Sequence, residues 1–279
     1  MFFDSHAHLD YEAFPGTDTE DIIKETEESE VDYVLEAGTD LATSKAASDH
    51  AKKYDWCYAA AGYHPHEAKD MGEPELAMIR MLAGEKKVRA IGEIGLDFYY
   101  DRSDRDIQRE CFRKQIRLAN ALKKPVVIHS RDADQEVMDI LKEEGAFSEE
   151  RKSWFHERPV PEGWEKAAGD ARVMLHCYSG SSEMGRQYVK LGASLSFAGP
   201  LTYRNNRKTA DVVRSIPMEF IMAETDSPYL APEPFRGRPN RPSYVRFTVM
   251  RIAALKETDL KEAAKITSDN AKRFFAIES

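Results

Sequence analysis

The sequence predicts an α/β fold, an eight-stranded parallel β/α barrel of the TIM type, on three observations. Eight short runs of β-branched and apolar residues recur at 2–5, 31–37, 57–62, 88–93, 125–129, 172–177, 193–197 and 220–224, as expected of strands covered on both faces. Helix-like segments separate these runs, the alternation of a parallel sheet. A chain of 279 residues with 42% hydrophobic residues is large enough for one deep core. Eight repeats in that length suit a closed barrel, since an open doubly wound sheet normally uses fewer strands.

Taken in order, the first run leads directly into His6, Ala7 and His8. The acids concentrated at 18–32 read as the solvated face of an early helix. The third run opens into a loop holding Tyr63, His64 and His66, and the fourth ends on Glu93. A helix is predicted at 106–122, with Ile107, Cys111, Gln115, Ala119 and Leu122 near one face and Phe112 and Ile116 beside it. The fifth run closes on His129 and precedes a helix at 133–144. The interval 145–171 is long for a simple connection and carries Trp154, Phe155, Pro159, Pro161 and Trp164. It is read as an irregular, packed excursion in preference to a cover over substrate. His176 stands at the end of the sixth run; helices at 182–191 and 206–215 flank the seventh, and Asp226 follows the eighth. Helices at 243–256 and 260–275 complete the pattern. No composition shift or Gly/Ser/Pro-rich connector divides the chain, so residues 1–279 are read as a single domain.

Composition narrows the function classes. A net charge of −9 argues against coating a nucleic acid through the overall field, while leaving room for a local phosphate site. Cys57, Cys111 and Cys177 are odd in number and widely spaced, unlike a disulfide framework or a thiolate metal site. The opening residues lack the basic region and apolar run of a secretory signal, and no stretch approaches the roughly 18 apolar residues of a membrane span. The expectation is a cytoplasmic protein with no membrane association and no stable protein partner.

The chemistry lies at the strand ends. In an extended chain, period two turns His6 and His8 to the same side, where two neutral imidazoles can chelate a divalent ion. The pair alone is a weak signal. It gains weight because Glu93, His129, His176 and Asp226 also close or follow apolar runs, on the face where barrel enzymes build their sites.

Seven segments carry a family resemblance: DSHAHL at 4–9, GYHPH at 62–66, GEIGLD at 92–97, VIHSR at 127–131, LHCYSG at 175–180, ETDSPY at 224–229 and RGRPNRP at 236–242. In this order they resemble the TatD family of metal-dependent hydrolases, within the wider group of amidohydrolase-like barrels. The resemblance implies two divalent ions, one held by His6, His8 and Asp226 and the other by His129 and His176, with Glu93 contacting both. Related two-metal amidohydrolases often bridge with a modified lysine, and no lysine lies at 90–97. The 145–171 excursion is the main departure from the family pattern.

Two such ions activate water and clamp an in-line displacement at phosphorus, with Glu93 and Asp226 as catalytic carboxylates and Asp226 accepting the proton. Mixed imidazole and carboxylate ligands suit Zn, Mn, Ni or Mg. The implied activity is a deoxyribonuclease acting on DNA phosphodiester bonds, from a 3′ end, with DNA as the partner. Cations after the seventh strand (Arg204, Arg207, Lys208) and the eighth (Arg236, Arg238, Arg241) stand where barrels frequently bind phosphate. His64, Arg131, Tyr203, Arg236 and Arg238 are the expected substrate contacts; Tyr63 and Tyr229 are further rings that could stack on bases. The alternatives are a metal-dependent hydrolase of a small ester, lactam or amide, and a non-catalytic metal-binding barrel.

Overall fold

The computed structural model describes residues 1–9, 17–166 and 169–277. Its strands are β1 (Phe2–Ala7), β2 (Val31–Ala37), β3 (Cys57–Ala61), β4 (Val88–Asp97), β5 (Val126–Arg131), β6 (Val173–Leu175), β7 (Ser194–Phe197) and β8 (Ile221–Ala223), each paired with the next in chain order. All the pairings are parallel. The helices are α1 (Thr19–Glu28), α2 (Leu41–Lys53), α3 (Glu73–Ala83), α4 (Arg105–Leu122), α5 (Asp134–Glu143), α6 (Glu149–Ser153), α7 (Ser182–Leu191), α8 (Arg207–Ser215), α9 (Val245–Leu255) and α10 (Leu260–Phe275). The result is the expected β/α barrel, nearly closed.

The seam between β8 and β1 is closed by single bonds. Asp226 N–H donates to His6 O (2.9 Å) and His8 N–H to Ser227 O (2.7 Å). Thr225 donates its N–H (2.8 Å) and its hydroxyl (2.5 Å) to the buried Asp4 carboxylate. The seam therefore runs directly beneath the segments that carry His6, His8 and Asp226.

Two strands overrun their expected ends. β4 continues four residues past Glu93, and β5 two past His129, because Gly95 to Asp97 pair with His129 to Arg131. Gly95 permits this contact: at φ +149°, a Cβ would lie 1.9 Å from His129 O. On α4, Ile107 is exposed and Gln108 buried, contrary to the expected face. Gln108 is needed inside to bond the backbone of Asp97 and Ser103, and Gln115 does the same for Tyr63. Satisfying strand-end peptide groups outweighs the apolar pattern there.

The barrel interior is filled by Phe3, Leu35, Ala60, Ala90, Val127, Met174 and Met222, with Phe274 and Phe275 of α10 in the same cluster. Above this layer Ser5 and Ser196 bond across the interior at 2.9 Å. Alternation from it carries β5 from Val127 to His129, β6 from Met174 to His176, and β8 from Met222 toward Glu224 and Asp226. Strict alternation from Phe3 and Ala90 would turn His6, His8 and Glu93 outward. Register shifts correct this: residues 4–7 of β1 span only 34–36 of β2, and residues 91–94 of β4 span only 126–128 of β5. One extra residue in each strand restores the inward direction.

The 145–171 excursion packs against the amino-terminal end of the strands, which excludes the described part of it as a cover over the opposite end; residues 167 and 168 lie outside the described residues. Buried Arg151 of α6 donates to Ala171 O (2.8 Å), Lys124 O (2.8 Å) and Asn120 Oδ1 (2.7 Å), at the starts of β5 and β6. Buried Arg158 donates to Glu219 O (2.5 Å), Ser194 Oγ (3.0 Å) and Asp170 (3.2 Å), at the starts of β7 and β8. Trp164 packs on Phe220. Two guanidiniums that satisfy strand-start carbonyls make the excursion a floor.

Candidate metal centre

Five strand ends bring His6, His8, Glu93, His129, His176 and Asp226 together at the carboxyl-terminal mouth. Glu93 stands in the middle and its two oxygens face different groups. Oε2 lies 3.4 Å from His6 Nε2 and 3.6 Å from His8 Nε2. Oε1 lies 2.8 Å from both His129 Nδ1 and His176 Nε2. Asp226 Oδ1 stands 3.7 Å from His6 Nε2 and 3.6 Å from His8 Nε2, on the side of the first pair.

The hydrogen bonds made by the far ring nitrogens decide what the near ones present. His8 Nδ1 donates to Ala37 O at 2.8 Å, since a carbonyl only accepts. His129 Nε2 meets the Asp97 carboxylate at 3.1 Å, and His176 Nδ1 meets Glu224 at 3.3 Å. Each of these neutral rings then turns a lone pair toward Glu93, Asp226 or another imidazole. His8 Nε2 is 3.2 Å from His6 Nε2, and His176 Nε2 is 3.4 Å from His129 Nδ1. Lone pairs converging on carboxylates need a positive charge between them. This donor set therefore fits divalent ions: one group is His6, His8 and Asp226, the other His129 and His176, and Glu93 is shared. His6 Nδ1 has no partner among the described residues, although it is buried.

Without an ion, protons answer the same demand. Burial opposes ionisation of Glu93, but His176, His64 and His129 outweigh it and hold its pKa well below the usual carboxylate range. Asp226 is also held low, with His8, His176 and His6 overcoming burial. His176 is pulled well up against burial by Glu93 and Glu224, and His129 is raised against burial by Asp97 and Glu93. His6 is lowered by burial and by His176.

His64 differs in kind. Its Nδ1 accepts the His66 N–H at 3.1 Å, so the neutral ring carries its proton on Nε2, 3.5 Å from Glu93 Oε1. Burial holds its pKa well below the usual histidine range. A neutral N–H donor cannot be a ligand through that nitrogen, so the ring suits an acceptor oxygen entering the mouth. His66 faces away toward Asp97 Oδ2 at 2.9 Å.

The other expected contacts lie on the rim. Arg131, the last residue of β5, is exposed. Arg236 lies over the Tyr203 ring at 4.5 Å, and the Tyr203 hydroxyl is engaged by Ala231 O at 2.9 Å. Arg238, Arg204, Arg207 and Lys208 are exposed nearby in sequence, whereas Arg241 pairs with Glu25. Buried Tyr63 is no part of the rim. Sequence reasoning passed over Asp97 and Glu224, which orient His129 and His176. Both stand in quoted segments, at inward positions two or four residues from a named carboxylate, and that spacing was the available signal.

The positive φ values of Asp226 (57°) and Cys177 (43°) also fall here. Left-handed backbone in a non-glycine residue is disfavoured and collects at functional sites. Asp226 is held in it by the seam bond from its N–H to His6 O.

A family model described as "TatD related DNase" matches residues 3–276. The chain is 43% identical over 277 residues to the "Uncharacterized metal-dependent hydrolase YabD" of Bacillus subtilis (strain 168), covering 99% of this chain and 100% of that one. It is 33% identical over 279 residues to the "Uncharacterized metal-dependent hydrolase YcfH" of Escherichia coli (strain K12), covering 99% and 96%. Among solved structures, YjjV, a TatD homolog from E. coli K12, superposes with a TM-score of 0.83 at 25% identity over 99% of this chain and 98% of that one.

Proposed function

The chain belongs to the TatD family of metal-dependent hydrolases, and from that membership we propose that it is a deoxyribonuclease that hydrolyses DNA phosphodiester bonds from a 3′ end. The observation that carries this reading is the divided carboxylate of Glu93, with His6 and His8 at one oxygen and His129 and His176 at the other. In the proposal His6, His8 and Asp226 hold one divalent ion, His129 and His176 the second, and Glu93 both. Zn, Mn, Mg and Ni all suit these ligands. Bound there, the pair supplies Lewis acidity and a water of lowered pKa.

The chain's own groups do the rest. Asp226 is only partly covered, with 14% of its side chain exposed at the mouth, so its carboxylate can take the proton from an attacking water. His64 donates Nε2–H to a phosphoryl or leaving oxygen, a role that its tautomer supports. Asp97 and Glu224 keep His129 and His176 in the required tautomers. Arg131, Tyr203, Arg236 and Arg238 bind the strand on the rim, where exposed cations contrast with the net charge of −9.

The test is incubation of purified protein, loaded with each metal in turn, with 3′-labelled and 5′-labelled single-stranded DNA. Chelator-sensitive shortening from the 3′ end is expected. Absence of chelator-sensitive cleavage under every metal would sink the proposal.

A further inference from the structure

Across the mouth from Arg236 and Tyr203, a second group of arginine and tyrosine rings stands at the ends of β4 and β5. Tyr99 and Tyr100 follow β4 and are 59% and 49% exposed. Their rings meet edge to face with centroids 4.9 Å apart. The Arg131 guanidinium lies 4.2 Å from the centroid of Tyr99 and 4.7 Å from that of Tyr100, and Arg102 lies 5.5 Å from Tyr100. Other arginines nearby are neutralised: Arg105 pairs with Asp101 at 2.6 Å, and Arg109 with Asp106 at 2.6 Å and with Glu136. Among the described residues the side chains of Arg131 and Arg102 have no ion pair or hydrogen bond, and each guanidinium lies on tyrosine rings.

The group is fixed to the candidate metal centre through Asp97. Its Oδ1 accepts the N–H groups of Tyr99 (3.0 Å) and Tyr100 (2.9 Å), while Oδ2 meets His129 Nε2 (3.1 Å) and His66 Nε2 (2.9 Å). Phe98 N–H donates to Arg131 O at 2.9 Å, tying the two strand ends together. His66 also packs edge-on against Tyr100, at 5.4 Å. One carboxylate thus sets both the orientation of a candidate ligand and the height of the two tyrosines.

We propose that Tyr99, Tyr100 and Arg131 form a nucleotide-binding ledge, on which the bases of single-stranded DNA stack while the outer edge of the Arg131 guanidinium takes a backbone phosphate. Ring faces accept any base. A guanidinium stacked on a ring keeps its N–H edge free for a phosphate oxygen. With Arg236 over Tyr203 on the other side, the strand would be gripped on both sides of Glu93, and the phosphate between the two grips is the one presented for hydrolysis. The ledge rests on the nuclease reading for what happens at that phosphate, but not for binding itself.

The test uses metal-loaded protein and a fluorescein-labelled, single-stranded phosphorothioate oligodeoxynucleotide, with affinity read by anisotropy across a salt series. Tyr99→Ala with Tyr100→Ala should weaken binding by about tenfold or more. Tyr99→Phe with Tyr100→Phe should restore it, because the ring and not the hydroxyl does the stacking. Arg131→Ala should lower the slope of log K against log salt by about 0.7, the loss of one phosphate contact to a single strand. Wild-type affinity and slope in the alanine variants, or no binding by the wild type, overturns the ledge whatever the cleavage assay gives. Ledge-dependent binding without cleavage of unmodified DNA overturns only the nuclease reading.

Discussion

Replacing Glu93 by glutamine keeps the shape of the side chain and removes the charge that two pairs of imidazoles face. An amide also turns an N–H₂ group toward one pair, where a donor cannot share a ligand's lone pair. The expected outcome is loss of metal from both groups together, with activity lower by about 100-fold or more, since even outer partners of ligands are worth about 10–100-fold. Metal content by mass spectrometry checks it, and full occupancy in the variant would contradict the shared role. At the same scale the tautomers separate His64 from the candidate ligands. The sequence offers identical imidazoles at His64 and His129, and only their partners, the His66 N–H and the Asp97 carboxylate, distinguish donor from acceptor.

Among the elements, the 145–171 excursion gives the clearest link between charge and architecture. Asp170 is buried at the floor, with Oδ1 taking Arg158 Nη2 and Arg172 N–H, and Oδ2 taking Arg273 Nε of α10 at 3.2 Å. Burial works to raise its pKa, but Arg158, Arg273 and Arg172 outweigh it and hold it below the ordinary value. A depressed carboxylate stabilises the fold above its unfolded pKa of about 3.9, and that stability disappears as pH falls through the lower folded pKa. Asp170→Asn should therefore cost about 3–5 kcal/mol at neutral pH, because Arg158 is left buried and short of its partner. Urea melts should give the same difference from pH 8 down to 5, narrowing only in stronger acid. A difference that already closes between pH 7 and 5 would mean that another group controls the floor. The excursion's aromatic residues suggested packing from sequence, but which end of the barrel they pack on depends on partners, Lys124, Gly192 and Glu219, that are far apart in the chain.

For the whole molecule, the β8–β1 seam and the candidate metal centre share residues. His6, His8 and Asp226 close the barrel with their backbones and face Glu93 or each other with their side chains. Ions held there would tie β1 and β8 to β4, β5 and β6, so binding should stabilise the complete barrel. At a metal concentration 100 times Kd, linkage gives about 2.7 kcal/mol, and at about 2–4 °C per kcal/mol for a large domain the melting temperature should rise several degrees. Scanning calorimetry of chelated and reloaded protein measures this. Equal melting temperatures would show that the native barrel does not bind the ions.

The sequence by itself determined the β/α alternation, the eight-strand count and the six residues now found at one mouth, because strand runs and polar strand ends are local signals. It also yielded Arg131, Tyr203 and Arg236, which stand at the end of β5 and in the segments that follow β7 and β8. It did not determine which way His6, His8 and Glu93 point. Alternation from Phe3 and Ala90 sends them outward, and the extra residues in β1 and β4 that turn them inward arise only in pairing with β2 and β5. Register is a relation between two strands, so neither strand's sequence contains it. The same holds for Tyr99 and Tyr100: their identities are plain in the sequence, but their exposure beside Arg131 depends on Asp97 taking their N–H groups while orienting His129.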